Sequence, residues 1–148
     1  MTWKPNVTVA AVVEKDGKYL LVEEETSSGI LFNQPAGHLE PGESIIAGAI
    51  RETLEETAYT FVPQSILGIY HWHSMADDTT FIRFAFTGFV IDHDPDQALD
   101  TGIVRAGWFG IDEIRQMAYC HRSPLVMQCI DDHRAGKHCS LEILTHYD

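Results

Sequence analysis

The stretch from Ser44 to Thr57 constrains the rest of the chain most. Ser44 follows Gly42-Glu43 and is a good N-cap, because its hydroxyl can satisfy an orphan backbone N–H. From there Ile46, Ala49, Ile50, Thr53, Leu54 and Thr57 recur at steps of three and four, which predicts a helix turning these residues towards a core. The helical angular step places Gly48, Glu52, Glu55 and Glu56 together on the opposite side. Like charges one turn apart destabilise a helix by roughly a few tenths of a kcal/mol per pair. Carboxylates crowded in this way either protonate in part or hold a cation. Oxygen ligands alone select a hard ion, so Mg²⁺, with Mn²⁺ as a substitute, is expected in preference to zinc. Arg51 reaches Glu55 at i,i+4 and can orient it, while Gly48 is expected to leave room above the ligands. The plainer meaning of such a cluster is a solvated acidic face. The helix alone does not decide.

The surrounding chain narrows the choice. Its 148 residues favour one domain over 1–148, large enough to bury a core without disulfides. The net charge is −12, from 22 acids against 10 Lys and Arg, and no basic run is segregated, so no nucleic-acid partner is expected. A phosphate compound would need a cation to approach such a surface. No apolar run reaches the length of a signal peptide or a membrane span, so no membrane partner is expected and the cytoplasm is the expected location. Cys120, Cys129 and Cys139 lie far apart without a C-x-x-C pair and read as reduced structural thiols.

Val7 to Val13 and Tyr19 to Val22 are apolar runs flanking Lys15-Asp16-Gly17-Lys18, and together they read as a hairpin. Residues 27–43 form a long loop with three glycines and two prolines, broken by a short strand at Ile30-Leu31-Phe32; such loops are usually functional. Strands are predicted at about 65–75 and 80–91, joined by a turn at Ala76-Asp77-Asp78-Thr79. An acidic loop from Asp92 to Asp100 precedes a strand at Val104 to Phe109, a short helix at Asp112 to Met117 and a second amphipathic helix at Leu125 to Arg134. Strands and helices mix without regular βαβ alternation, so the fold class is α+β with a mixed or antiparallel sheet.

Read together, Gly37 to Tyr59 resembles the Nudix box, G-x5-E-x7-R-E-U-x-E-E-x-G-U with U aliphatic. Gly37, Glu43, Arg51, Glu52, Glu55 and Glu56 all stand where that pattern places them. Thr53 and Tyr59 replace aliphatic residues, and Ala58 replaces the helix-ending glycine, at a cost on the order of 1 kcal/mol if it takes the left-handed conformation. The N-terminal runs, Phe32 to Glu40, Phe81 to Phe84 and Arg122 to Val126 are similar to the NudJ-type phosphatase subgroup of that family. The resemblance implies an α/β/α sandwich around a mixed β-sheet and Mg²⁺-dependent hydrolysis of small diphosphates and triphosphates. Nucleoside di- and triphosphates or a thiamine-pathway pyrimidine pyrophosphate are the implied substrates, for a monomer or homodimer.

The resemblance also implies roles. Glu52, Glu55 and Glu56 would bind metal with a backbone carbonyl near Ala36 or Gly37, and Glu43 would orient the loop through Arg51. The general base would be Glu52 or Glu55, or one of the loop acids Asp77, Asp78, Asp94, Asp96 and Asp100. Trp72 and Phe81, near opposite ends of adjacent predicted strands, can flank a flat ring or simply pack as a sheet pair. Arg83 can meet a phosphate or form a surface ion pair. Asn33 and Gln34 can read a polar ring edge, and His38 can touch a phosphate or cap its loop. His71 and His73 share a strand face, but zinc would need a third ligand that the sequence does not locate. A non-catalytic nucleotide-binding or regulatory protein is the rival reading, against which stands the retention of all three glutamates.

Overall fold

Val9 to Val13 are buried without a break, which a strand achieves only when both its faces are covered. The computed structural model describes residues 2–148 and shows how. Strand β1 (Asn6–Val12) lies inside a four-stranded sheet, with β5 (Ala36–His38) antiparallel on one side and β7 (Thr79–Ile91) parallel on the other. Strand β6 (Thr60–Ser74) completes the order β5-β1-β7-β6. On one face Val9, Ala11 and Val13 pack with Phe61, Phe86 and Ala49 of helix α1 (Ile45–Thr57). On the other face Val12 packs with Ala85, Ile114 of helix α2 (Ile111–Gln116), and Cys129 and Ile130 of helix α3 (Leu125–Arg134). Helices on both faces of a mixed sheet make the expected α/β/α sandwich.

A second sheet centres on β3 (Lys18–Thr26), which pairs antiparallel with β4 (Gly29–Asn33), β8 (Ile103–Gly110) and the short β2 (Glu14–Lys15). The expected hairpin between residues 7–13 and 19–22 needs correction here. The turn exists, with Asp16 and Gly17 both at positive φ, but it joins only β2 to β3. Strand β1 already has partners along both edges, so β3 builds a separate sheet. Strand β6 also starts earlier than expected, because an edge strand accommodates Pro63 through a register shift between Pro63 and Ser65. Helices α2 and α3 and strand β8 fall within a residue or so of their sequence positions. Among the described residues no helix is long and apolar enough to cross a membrane.

Candidate active site

Helix α1 begins as its sequence dictates, with the Ser44 hydroxyl accepting a hydrogen bond from the Ala47 amide at 3.0 Å. Its buried arc runs through Gly48, Ala49, Glu52, Thr53, Glu56 and Thr57. Leu54, expected in the core stripe, is 38% exposed. The helix is therefore rolled so that Glu52 and Glu56 lie on a buried flank, and Glu55 is the more exposed of the three. Thr53 and Thr57 tolerate burial because each hydroxyl donates to the carbonyl four residues back, at 2.8 and 2.6 Å. Ala58 takes the left-handed conformation at φ 62 and donates its amide to Leu54 O. The 92–100 loop satisfies further carbonyls at this end: Asp94 N donates to Ala58 O and Asp100 N to Glu55 O.

Arg51 organises the carboxylates. Its Nε and Nη2 grip Glu43 at 2.9 and 2.7 Å, its Nη1 reaches Glu52 at 2.8 Å and Glu55 at 3.2 Å, and Nη2 also donates to His38 O at 3.0 Å. This grip holds the Glu43 carboxyl below the usual carboxylate range. Gly48 serves a different purpose from the expected one, since a Cβ there would crowd Glu43 and Leu39 rather than any ligand above the helix. The close approach is at Gly37, where a Cβ would overlap the Glu52 carboxyl group. Glu56 Oε1 accepts from the Ala36 amide at 3.0 Å. Burial, reinforced by Glu24, Glu52 and Asp100, still pushes its carboxyl up to about 9. Burial raises Glu52 as well, against the pull of Arg51.

Among the described residues no three His, Cys, Asp or Glu side chains are gathered at metal-binding distance. The Arg51 Nη1 stands between Glu52 and Glu55, and Glu56 turns to Ala36. The donor chemistry nevertheless suits a hard divalent ion. Two buried carboxyls share one flank without full counter-charge, beside the bare backbone of Gly37. Glu52, Glu56 and Gly37 all line a cleft of about 1130 Å³ built by residues of both sheets. Glu55 lies outside it, in a depression shared with Gln97 and Asp100.

Residues 2–128 match the NUDIX domain family. The chain belongs to the Nudix family. It is 39% identical over 142 residues to phosphatase NudJ of Escherichia coli strain K12, covering 96% of this chain and 92% of that protein. A NUDIX hydrolase from Nitrosomonas europaea is 61% identical, with a TM-score of 0.95 over 97% of this chain and 98% of the other. A MutT protein from Methanosarcina mazei Go1 is 25% identical, with a TM-score of 0.73 over 93% and 99% of the two chains. The chain is thus a Nudix hydrolase.

Within this Nudix cleft the sequence candidates separate. Trp72 near the end of β6 and Phe81 near the start of β7 share one rung of the antiparallel pair and stack at 5.6 Å and 19°, the sheet-packing alternative. The rings fill the space between them, so no third ring fits there. Both still line the cleft. Arg83 forms no surface ion pair; it is 5% exposed and donates to Gln34 Oε1 at 2.9 Å and Asn33 Oδ1 at 3.0 Å. Gln34 spends its amide group on Val126 O at 2.9 Å, so both its polar ends are committed and it cannot read a ring edge. Asn33 is buried with its oxygen likewise engaged. The His38 side chain lines the cleft and sits 3.4 Å from Asn6.

Of the five loop acids only Asp77 and Asp100 line the cleft. Asp78 pairs with His73 at 2.8 Å, and Asp94 accepts from the Asp96 amide in its own turn. The His71 and His73 pair gathers no third zinc ligand among the described residues. Sequence reasoning missed Glu24, which lines the cleft and pairs with Arg122 at 3.1 Å. Strand alternation separates Glu24 from Glu23 and Glu25, but only the fold decides which face meets the cleft.

Proposed function

We propose that this Nudix hydrolase cleaves phosphoanhydride bonds of small diphosphate and triphosphate compounds, namely nucleoside di- and triphosphates or a pyrimidine pyrophosphate, with Mg²⁺ or Mn²⁺ as cofactor. The observation that carries the reading is the pair of buried carboxyls, Glu52 and Glu56, set beside the bare Gly37 backbone at the wall of the cleft. In this proposal Glu52, Glu56 and the Gly37 carbonyl hold the ion from the cleft wall and Glu55 contributes from the adjoining depression that shares Asp100, and residues 1–148 act as one cytoplasmic domain, monomer or homodimer. The bound ion supplies charge neutralisation at phosphate oxygens and a lowered pKa for the attacking water.

The protein's own part is positioning, which dominates phosphoryl transfer and needs no covalent nucleophile. Glu43 fixes Arg51, and Arg51 fixes Glu52 and Glu55. Two carboxylates of the cleft are candidates to accept the proton of the attacking water. Glu52 is one only where it is not committed to the ion, and Asp100, delivered by the loop that caps α1, is the other. The test is a panel of nucleoside di- and triphosphates and a pyrimidine pyrophosphate, incubated with Mg²⁺ and followed by ³¹P NMR to identify the released ion. Wild type should turn over at least one class, and E52Q and E56Q should lose roughly 100-fold or more while remaining folded. If no phosphoanhydride is hydrolysed with Mg²⁺ or Mn²⁺, the proposal is wrong.

A further inference from the structure

Two of the three departures from the Nudix box, Ala58 and Tyr59, fall where the 92–100 loop meets the end of α1. Tyr59 stands in the place of an aliphatic residue. Its ring lies 4.3 Å from the His93 ring at a tilt of 38°, and its hydroxyl accepts from Trp108 Nε1 of β8 at 3.2 Å. An aliphatic side chain offers neither the flat face nor the acceptor. Ala58, left-handed at φ 62, accepts the Asp94 amide at 3.0 Å. Further along, Gln97 Nε2 donates to Leu54 O at 2.6 Å and the Asp100 amide to Glu55 O at 2.8 Å. The loop is thus held at its start, middle and end on the last turn of the carboxylate helix, where backbone carbonyls run out of partners within the helix.

The loop runs from β7 in one sheet to β8 in the other, is exposed along most of its length and adds no side chain to either core cluster. Its place therefore depends on these docking contacts, since a segment with few buried contacts opens readily. What they place is Asp100, which is shared by the cleft of Glu52 and Glu56 and the depression of Glu55. Burial is the main cause that raises the Glu52 and Glu56 carboxyls, but the Asp100 charge adds to both and so stands within electrostatic reach of the pair. We propose that Tyr59, His93 and Gln97 are positioning residues, which dock the 92–100 loop on the end of α1 and thereby hold the Asp100 carboxylate at the cleft for turnover. This rests on the function proposed above, in which Asp100 is a candidate to accept the proton of the attacking water.

Amide hydrogen exchange on the metal-free protein and steady-state turnover of the panel compounds with Mg²⁺ test it together, on wild type, Y59L, Q97A, D100N and the double variant Y59L/D100N. Y59L restores the residue type of the box pattern and Q97A truncates a loop side chain, so Q97A keeps the test open should Y59L fail to fold. The Asp94 and Asp100 amides should exchange about tenfold or more faster in Y59L and Q97A than in wild type, with the amides of β1 changing far less. In both variants kcat should fall about tenfold with KM within about twofold, because a displaced group weakens the chemical step more than binding. In the D100N background Y59L should cost less than about twofold further, since the group it positions is already gone. Unchanged exchange at Asp94 and Asp100 overturns the inference. So does full activity of D100N, or a Y59L loss that multiplies onto that of D100N, and in each case the hydrolysis by wild type leaves the proposed function standing. If wild type hydrolyses no panel compound with Mg²⁺ or Mn²⁺, the proposed function falls and takes this inference with it, even where exchange shows the loop docked.

Discussion

A methyl group at position 37 would share space with the Glu52 carboxyl, which Arg51 prevents from swinging aside. G37A should therefore lower kcat/KM by roughly tenfold or more, since displaced catalytic groups are costly even at about 1 Å. The melting temperature should fall as well, since the overlap with a buried, pinned carboxyl costs about 1–3 kcal/mol, but the folded fraction at assay temperature should still show the kinetic loss. Steady-state kinetics beside a melting curve separates the two effects. Glu56 makes a second prediction, about pH. Its carboxyl titrates at about 9 in the folded protein against an ordinary 4.5. Below the lower value both states are protonated; above it the unfolded chain releases a proton that the fold retains. Metal-free protein should thus lose stability steadily as pH rises from about 4.5 to about 9, and E56Q should flatten the slope in urea titrations. The partnership of Arg51 with Glu43 and Glu55 was legible in the spacing, because helix geometry fixes who can meet. The use of Asn33 and Gln34 to hold Arg83 was not, because an amide's partner fifty residues away leaves no local mark.

At the scale of elements, α1 is both a core helix and the carrier of the site. Its start was readable from Ser44, and its end from the box pattern, with Ala58 paying the left-handed penalty that the missing glycine would have avoided. Its roll was not readable. Periodicity assigned Leu54 inward and Glu52 outward, whereas the pairing of β5 with β1 sets Gly37 against Glu52 and draws that flank inside. Removing the cap with S44A should cost about 1 kcal/mol, a fall of roughly 2–4 °C in Tm for a chain of this size, measurable by calorimetry. The Mg²⁺ affinity of the variant should be nearly unchanged, since the ligands lie two to three turns further along the helix.

For the whole molecule, the formal net charge of −12 makes the metal-free fold repel itself, and burial adds a separate cost to ionising Glu52 and Glu56. Millimolar Mg²⁺ or Mn²⁺ should raise Tm of the wild type and leave an E52Q/E56Q double variant nearly unmoved, because an ion that binds only the native state stabilises it. Equal shifts in both proteins would mean general screening instead. The sequence by itself determined the α+β class and the carboxylate helix with its Arg51 and Glu43, which follow from local periodicity, and the family, which follows from the fixed spacing of the box. Only the tertiary structure decided that Trp72 stacks on Phe81, that Arg83 is buried on two amides, that Asp100 and Glu24 join the cleft and that Glu55 leaves it. These depend on strand register and helix roll, which arise from packing between segments distant in the chain, and no single stretch of sequence encodes them.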